Sequence, residues 1–136
     1  MSVIPYLRFQ GTCRAAMTFY AEVFGTPIDM IMTAADMPDY PVPDNQRDLI
    51  AHASMKIADG ELYASDDFQG NAGAMAGCSV MVSLPTNTAS QDAFDKLSVD
   101  GTVTMAFQPT FWSAGFGTLT DRYGTHWMVS SQQEPG

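Results

Sequence analysis

Apolar residues recur at helical spacing over residues 12–24, where Cys13, Ala16, Met17, Tyr20, Val23 and Phe24 fall on one face. Thr12 stands at the N-cap position and Gly25 where a helix stops. A second helix is expected over residues 88–97. Thr88-Ala89-Ser90-Gln91 has the form of a capping box, Ala93, Phe94 and Leu97 make an apolar stripe, and Asp100-Gly101 ends it. Strict alternation marks residues 49–57: Leu49, Ala51, Ala53, Met55 and Ile57 share one face, with His52, Ser54 and Lys56 opposite. Asp59-Gly60 signals a hairpin that returns along residues 61–66. Further strands are expected at 3–9, 27–33, 78–84, 102–108, 111–120 and 125–131, the last two separated by Asp121-Arg122-Tyr123-Gly124.

The predicted order is strand, helix and three strands, twice over. Phe19 set against Phe94 aligns the helices, and Gly60 set against Gly124 aligns the final hairpins. We therefore expect an α+β fold of two βαβββ modules, about residues 3–66 and 78–131, within one domain spanning 1–136. One helix would cover one face of each four-stranded sheet, leaving the other faces to line a shared, cup-like concavity. Residues 34–48 break the pattern with Pro38, Pro41, Pro43 and four aspartates. They are expected to form a long loop, either a lid or binding loop or a plain surface excursion. Residues 67–77, with three glycines, form a second loop.

Hydrophobic residues make up 46% of the 136 and charged residues 15%, enough for a packed core. The formal net charge is -9, and the six Lys and Arg are scattered, which argues against a nucleic-acid partner. No apolar run is long enough to cross a bilayer, and the first residues lack the pattern of a signal peptide. Cys13 and Cys78 have no CxxC context and are expected as reduced thiols that pack rather than react. A cytoplasmic protein is expected.

Pro5-Tyr6-Leu7-Arg8-Phe9, Gly11, Cys13, Ala16, Phe19-Tyr20 and Phe24-Gly25 resemble the opening of PhnB-like proteins of the vicinal-oxygen-chelate superfamily. Ser65-Asp66 resembles the end of their fourth strand. Phe111-Trp112, Phe116-Gly117, Leu119, Asp121, Gly124 and Trp127-Met128 resemble their closing block. The resemblance covers residues 5–129. It implies kinship with glyoxalase I, fosfomycin-resistance proteins, bleomycin-binding proteins and extradiol dioxygenases, in which paired βαβββ modules form a cup and often a homodimer. Enzymes of that superfamily commonly hold a divalent metal with His, Glu or Gln at four strand positions. Mapped onto this chain, those positions fall on Pro5, Ala64, Val80 and Met128. None is a usual ligand for a hard divalent ion, so no metal and no other cofactor is expected. Some PhnB-like chains are labelled ubiquinone methyltransferases, but this chain has no glycine-rich strand-to-helix turn suited to a nucleotide-like cofactor.

Parity puts Asp66 on the face of Ala64 and His126 on that of Met128, with His52 opposite the apolar face of its own strand. If all three meet in the cup, they form a candidate metal or acid–base set for a lyase, transferase or dioxygenase-type enzyme. Otherwise Asp66 binds turn amides and the histidines sit apart. Tyr20, Tyr63, Phe94 and Trp127 are expected in the core. Phe9, Phe111, Trp112, Phe116 and Met128 are candidate ligand-binding residues near the cup mouth, or alternatively pack a dimer interface. The expected partner is a small molecule, bound by a protein without the superfamily's metal.

Overall fold

The computed structural model describes residues 2–37, 41–70 and 72–136. The chain divides into two compact units, Met1–Gly73 and Ala74–Gly136. The first holds strand β1 (Tyr6–Phe9), helix α1 (Cys13–Phe24), then β2 (Ile28–Thr33), β3 (Ile50–Ile57) and β4 (Gly60–Asp66). The second repeats the order with β5 (Val80–Leu84), α2 (Asn87–Ser98), β6 (Thr102–Gln108), β7 (Phe116–Thr120) and β8 (His126–Ser131). The sheets run β1-β4-β3-β2 and β5-β8-β7-β6. In each, the first strand lies parallel to the last and the other neighbours are antiparallel. This is the expected α+β architecture of two βαβββ modules.

α1 buries Cys13, Ala16, Met17, Tyr20 and Val23 against β2, β3 and β4. The facing side of the sheet carries Leu7, Phe9, Ala53, Met55, Leu62 and Ala64, all buried. Gly25 takes a left-handed conformation (φ 65°) and returns its N–H to the Ala21 carbonyl, which ends the helix. In the second unit, α2 packs on β5, β7 and β8, above Val82, Leu119, Trp127 and Val129. Gly117 lies directly beneath it: a Cβ there would come within 2.6 Å of the Phe94 ring.

The structure corrects several boundaries. The N-cap of α2 is Thr86, not Thr88. Its extended backbone lets Oγ1 accept the Ala89 N–H, and Thr88 is already helical. The two-residue turn between β3 and β4 is Ala58-Asp59, and its left-handed residue is Ala58 (φ 54°) rather than Gly60. β7 starts at Phe116, not at 111. Residues 110–115 fold instead into a turn, with the Ser113 hydroxyl donating to the Gly115 and Ser131 carbonyls and Thr110 N–H to the Ser113 carbonyl. The loop after β2 contains two short 3-10 turns, Ala34–Asp36 and Asp44–Gln46. Its base is closed by Ala34 N–H to Leu49 O and Ala35 N–H to Arg47 O. Pro38 and Asp39 of that loop lie outside the described residues.

Strand pairing also shifts the internal repeat by one residue. Tyr63 lies opposite Tyr6 as Met128 lies opposite Met81, so Met128 corresponds to Tyr63 and not to Ala64. The cause is unequal turns. Ala58 and Asp59 alone separate β3 from β4, whereas residues 121–125 separate the paired Thr120 and His126.

Candidate functional site

With α1 on one side, alternation leaves Tyr6, Arg8, Ser54, Tyr63 and Ser65 on the open side of the first sheet. His52 joins them. The Tyr6 hydroxyl and His52 Nδ1 are 3.2 Å apart, in a hydrogen bond whose donor depends on the tautomer. The His52 ring stands edge-on to Tyr63 at 5.0 Å between centroids, and Tyr6 meets Tyr63 edge-on at 6.3 Å. Tyr63 is therefore not a core residue as expected, while Tyr20, Phe94 and Trp127 are buried. Arg8 lies one strand step beyond Tyr6, across from Ser65. Its side chain makes no ion pair or hydrogen bond among the described residues. Tyr6, Tyr63 and Arg8 were absent from the candidates drawn from the sequence. The alternation of Tyr6 and Arg8 with Leu7 and Phe9 was the signal that could have found them.

His52 and Asp66 do not meet. Asp66 shares a face with Ala64, as parity required, but that face is the one covered by α1. Its Oδ1 accepts the Cys13 N–H at 3.0 Å and its Oδ2 the Ile50 N–H at 2.8 Å, with the residue 6% exposed. The carboxylate thus caps the first turn of α1, where Thr12 supplies no side-chain bond, and holds the start of β3. Burial, then the Asp66 charge, push the neighbouring Cys13 thiol up to about 12. His126 lies on the open side of the second sheet with Met128, as expected. Both its ring nitrogens are engaged: Nδ1 with the Thr120 hydroxyl at 2.8 Å, and Nε2 with the Met75 carbonyl at 2.7 Å. It fastens the segment before β5 to β8.

The aromatic candidates separate. Phe9 is buried at 3% exposure on the side facing α1, so it belongs to the core and not to an open mouth. Phe116, Thr118 and Met128 share the open side of the second sheet, with Met81 beside Met128. Trp112 stacks edge-on against Phe116 at 5.3 Å and against Phe111 at 4.7 Å. Phe111 is 90% exposed and Trp112 51%. Asp121 organises the β7–β8 turn, accepting from the Tyr123 and Thr125 amides and the Trp127 indole.

The four positions expected at a metal site need the same correction. Pro5 precedes β1, Ala64 faces α1, and Val80 pairs with buried Trp127; only Met128 lies on an open face. The cross-strand pairs that do lie there are Tyr6 with Tyr63 and Met81 with Met128. Neutral phenols and thioethers do not suit a hard divalent cation. Among the described residues, no three of His, Cys, Asp and Glu gather as a ligand set.

The family model described as 3-demethylubiquinone-9 3-methyltransferase matches residues 1–130. Protein YjdN of Escherichia coli (strain K12) is 29% identical over 148 residues, covering 99% of each chain. Among solved structures, protein PA1353 from Pseudomonas aeruginosa has a TM-score of 0.86 at 32% identity, covering 98% of this chain and 99% of that one. A putative 3-demethylubiquinone-9 3-methyltransferase, PhnB protein, from Bacillus cereus has a TM-score of 0.78 at 25% identity, covering 96% and 99%. A glyoxalase/bleomycin resistance protein/dioxygenase family enzyme from Burkholderia phytofirmans PsJN shares the fold, with a TM-score of 0.65 at 11% identity and coverage of 96% and 97%. The residue blocks at both ends, the doubled βαβββ order and a match over nearly the whole chain agree: the chain belongs to the PhnB-like 3-demethylubiquinone-9 3-methyltransferase family, with structural neighbours in the glyoxalase/bleomycin resistance/dioxygenase superfamily.

Proposed function

We propose that this chain binds a small molecule on the open side of a sheet without the divalent metal usual in the superfamily. The carrying observation is the chemistry of the open-face pairs, Tyr6 with Tyr63 and Met81 with Met128. Rings and thioethers offer adaptable apolar contact and weak metal ligation. Phe111, Trp112 and Phe116 supply a second aromatic surface, which serves either the ligand or a homodimer contact. A cytoplasmic setting suits the two unpaired thiols, Cys13 buried and Cys78 exposed. Among the described residues, no helix is long and apolar enough to cross a membrane. Methyl transfer, named for the Bacillus cereus neighbour, is not carried over, because neither strand-to-helix turn is a glycine-rich phosphate cradle.

A second reading is an acid–base enzyme of lyase, transferase or dioxygenase type. Of His52, Asp66 and His126, only His52 keeps a ring nitrogen without a partner among the described residues, and the Tyr6 contact orients that ring. Elemental analysis of purified protein, followed by a thermal-shift screen of divalent metals and small molecules, tests both. Binding without turnover, in metal-free protein, supports the first. Stoichiometric metal on the native protein overturns its metal-free part. Turnover abolished by His52→Gln selects the second.

A further inference from the structure

We infer that the open face of the first sheet takes an aromatic carboxylate, its ring against Tyr6, His52 and Tyr63 and its carboxylate on Arg8. This rests on the small-molecule reading above and names the chemical class for one of its faces.

Three observations on this face lead to that class. The rings come first: Tyr6, His52 and Tyr63 meet at edge-on or tilted angles, with centroids 5.0 to 6.3 Å apart. Such a cluster offers ring faces and edges to a further planar ring. Charge comes second. At the far end of the face Lys56 stands directly across from Glu61, whose Oε2 lies 3.5 Å from the Tyr63 hydroxyl. At the near end Arg8 has no acidic partner among the described residues. The nearby Asp66 carboxylate is taken by two backbone amides, and that of Asp67 by the Gln69 and Ala72 amides. In a chain with a net charge of -9, a guanidinium without an ion pair among the described residues, beside a ring cluster, is an anion-seeking feature of this face. Space comes third. A cleft of about 270 Å³ opens at Arg8 and Ser65, lined also by Met37, Ala51, Asp66, Asp67, Phe68 and Gln69. It leaves room for a small carboxylate at the guanidinium, while the rings of Tyr6, His52 and Tyr63 are not part of its lining and would meet the ligand's ring on the sheet face itself.

The chemistry follows from the fork of the guanidinium. Its parallel N–H groups match the two oxygens of a carboxylate, and the Ser65 hydroxyl, opposite Arg8 on β4, adds a further donor. Arg8 stands one strand step from Tyr6, about 6.6 Å along the chain, so one benzoate-sized molecule spans both.

The test uses benzoate, benzamide and inorganic phosphate with the full-length protein. Binding is followed by NMR of the His52 ring protons, assigned by comparison with His52→Gln, and by calorimetry. We expect benzoate to shift the His52 signals saturably and benzamide to bind much more weakly. Arg8→Gln, at an exposed position, should keep the wild-type melting temperature. It should weaken benzoate by at least about tenfold, as loss of a charge-assisted hydrogen-bonded pair requires. Equal binding of benzoate and benzamide, or unchanged benzoate affinity in Arg8→Gln, overturns the carboxylate assignment while leaving small-molecule binding intact. Phosphate competing as well as benzoate shows that the site reads charge and not the ring, which also overturns it. Benzoate binding that leaves the His52 signals unmoved overturns the location. If neither benzoate nor any compound of the thermal-shift screen binds, this inference and the functional reading fall together.

Discussion

Asp66 and His126 show how little residue identity says about role. Both are titratable, and both fall on the predicted parity, yet each is consumed by backbone or hydroxyl partners. Parity told which residues share a face; it could not tell which face the helix covers, because both sides of these strands mix small apolar and polar residues. Asp66→Asn keeps one good acceptor for two amides, so the variant should lose about 1–3 kcal/mol in urea denaturation. Unchanged stability combined with lost ligand binding would return Asp66 to the functional site. Cys13 yields a pH prediction. Its thiol is raised from 9.0 to about 12, by burial first and then by the Asp66 charge. The native state therefore holds this proton more tightly than the unfolded chain. Stability from this group is full below pH 9, and declines between 9 and about 12 as the unfolded thiol ionises first. Chemical denaturation across that window should show a decline that Cys13→Ala removes. An identical slope in the variant would assign the decline to other groups.

Helices and strands were legible because each carries a one-sided apolar pattern, and their ends were less so because ends depend on geometry. The capping-box pattern at Thr88 was chemically sound but overtaken by Thr86, whose extended backbone places its hydroxyl on the Ala89 amide. Thr86→Ala should destabilise the protein by about 1 kcal/mol and Thr88→Ala by much less, read as melting temperatures of the two variants. The reverse order would restore the later cap. β7 was overextended for a different reason. Phe111 and Trp112 look like strand residues by propensity, but the Ser113 hydroxyl ties the following backbone into a turn. The repeat slipped by a residue because Gly60 and Gly124 were aligned, whereas Gly60 already begins β4 and Gly124 lies within a longer turn.

At the scale of the molecule, the doubled order was readable from beginning to end, and the element order and strand order of the two sheets repeat it. What the pattern left open was which side of each sheet its helix covers, and that needed the strand register. Self-association belongs to this scale. Phe111 and Trp112 expose 90% and 51% of their surface and stack on each other, an uneconomical arrangement for a surface that meets only water. We expect a homodimer by light scattering at micromolar concentration. The double variant Phe111→Ser, Trp112→Ser should shift it towards monomer, with little change in the unfolding free energy per chain. A wild-type monomer across the concentration range would remove the dimer and leave these rings to the ligand.

The paired acceptance at Asp66 also sets a timing. The amides of Cys13 and Ile50 belong to different elements, yet they lean on the two oxygens of one carboxylate. In hydrogen–deuterium exchange neither proton should be lost independently. Both should show similar protection and respond together to denaturant, since releasing either requires the same opening around Asp66. Two amides distant in the chain would then keep a single clock, and Asp66→Asn should make them run apart.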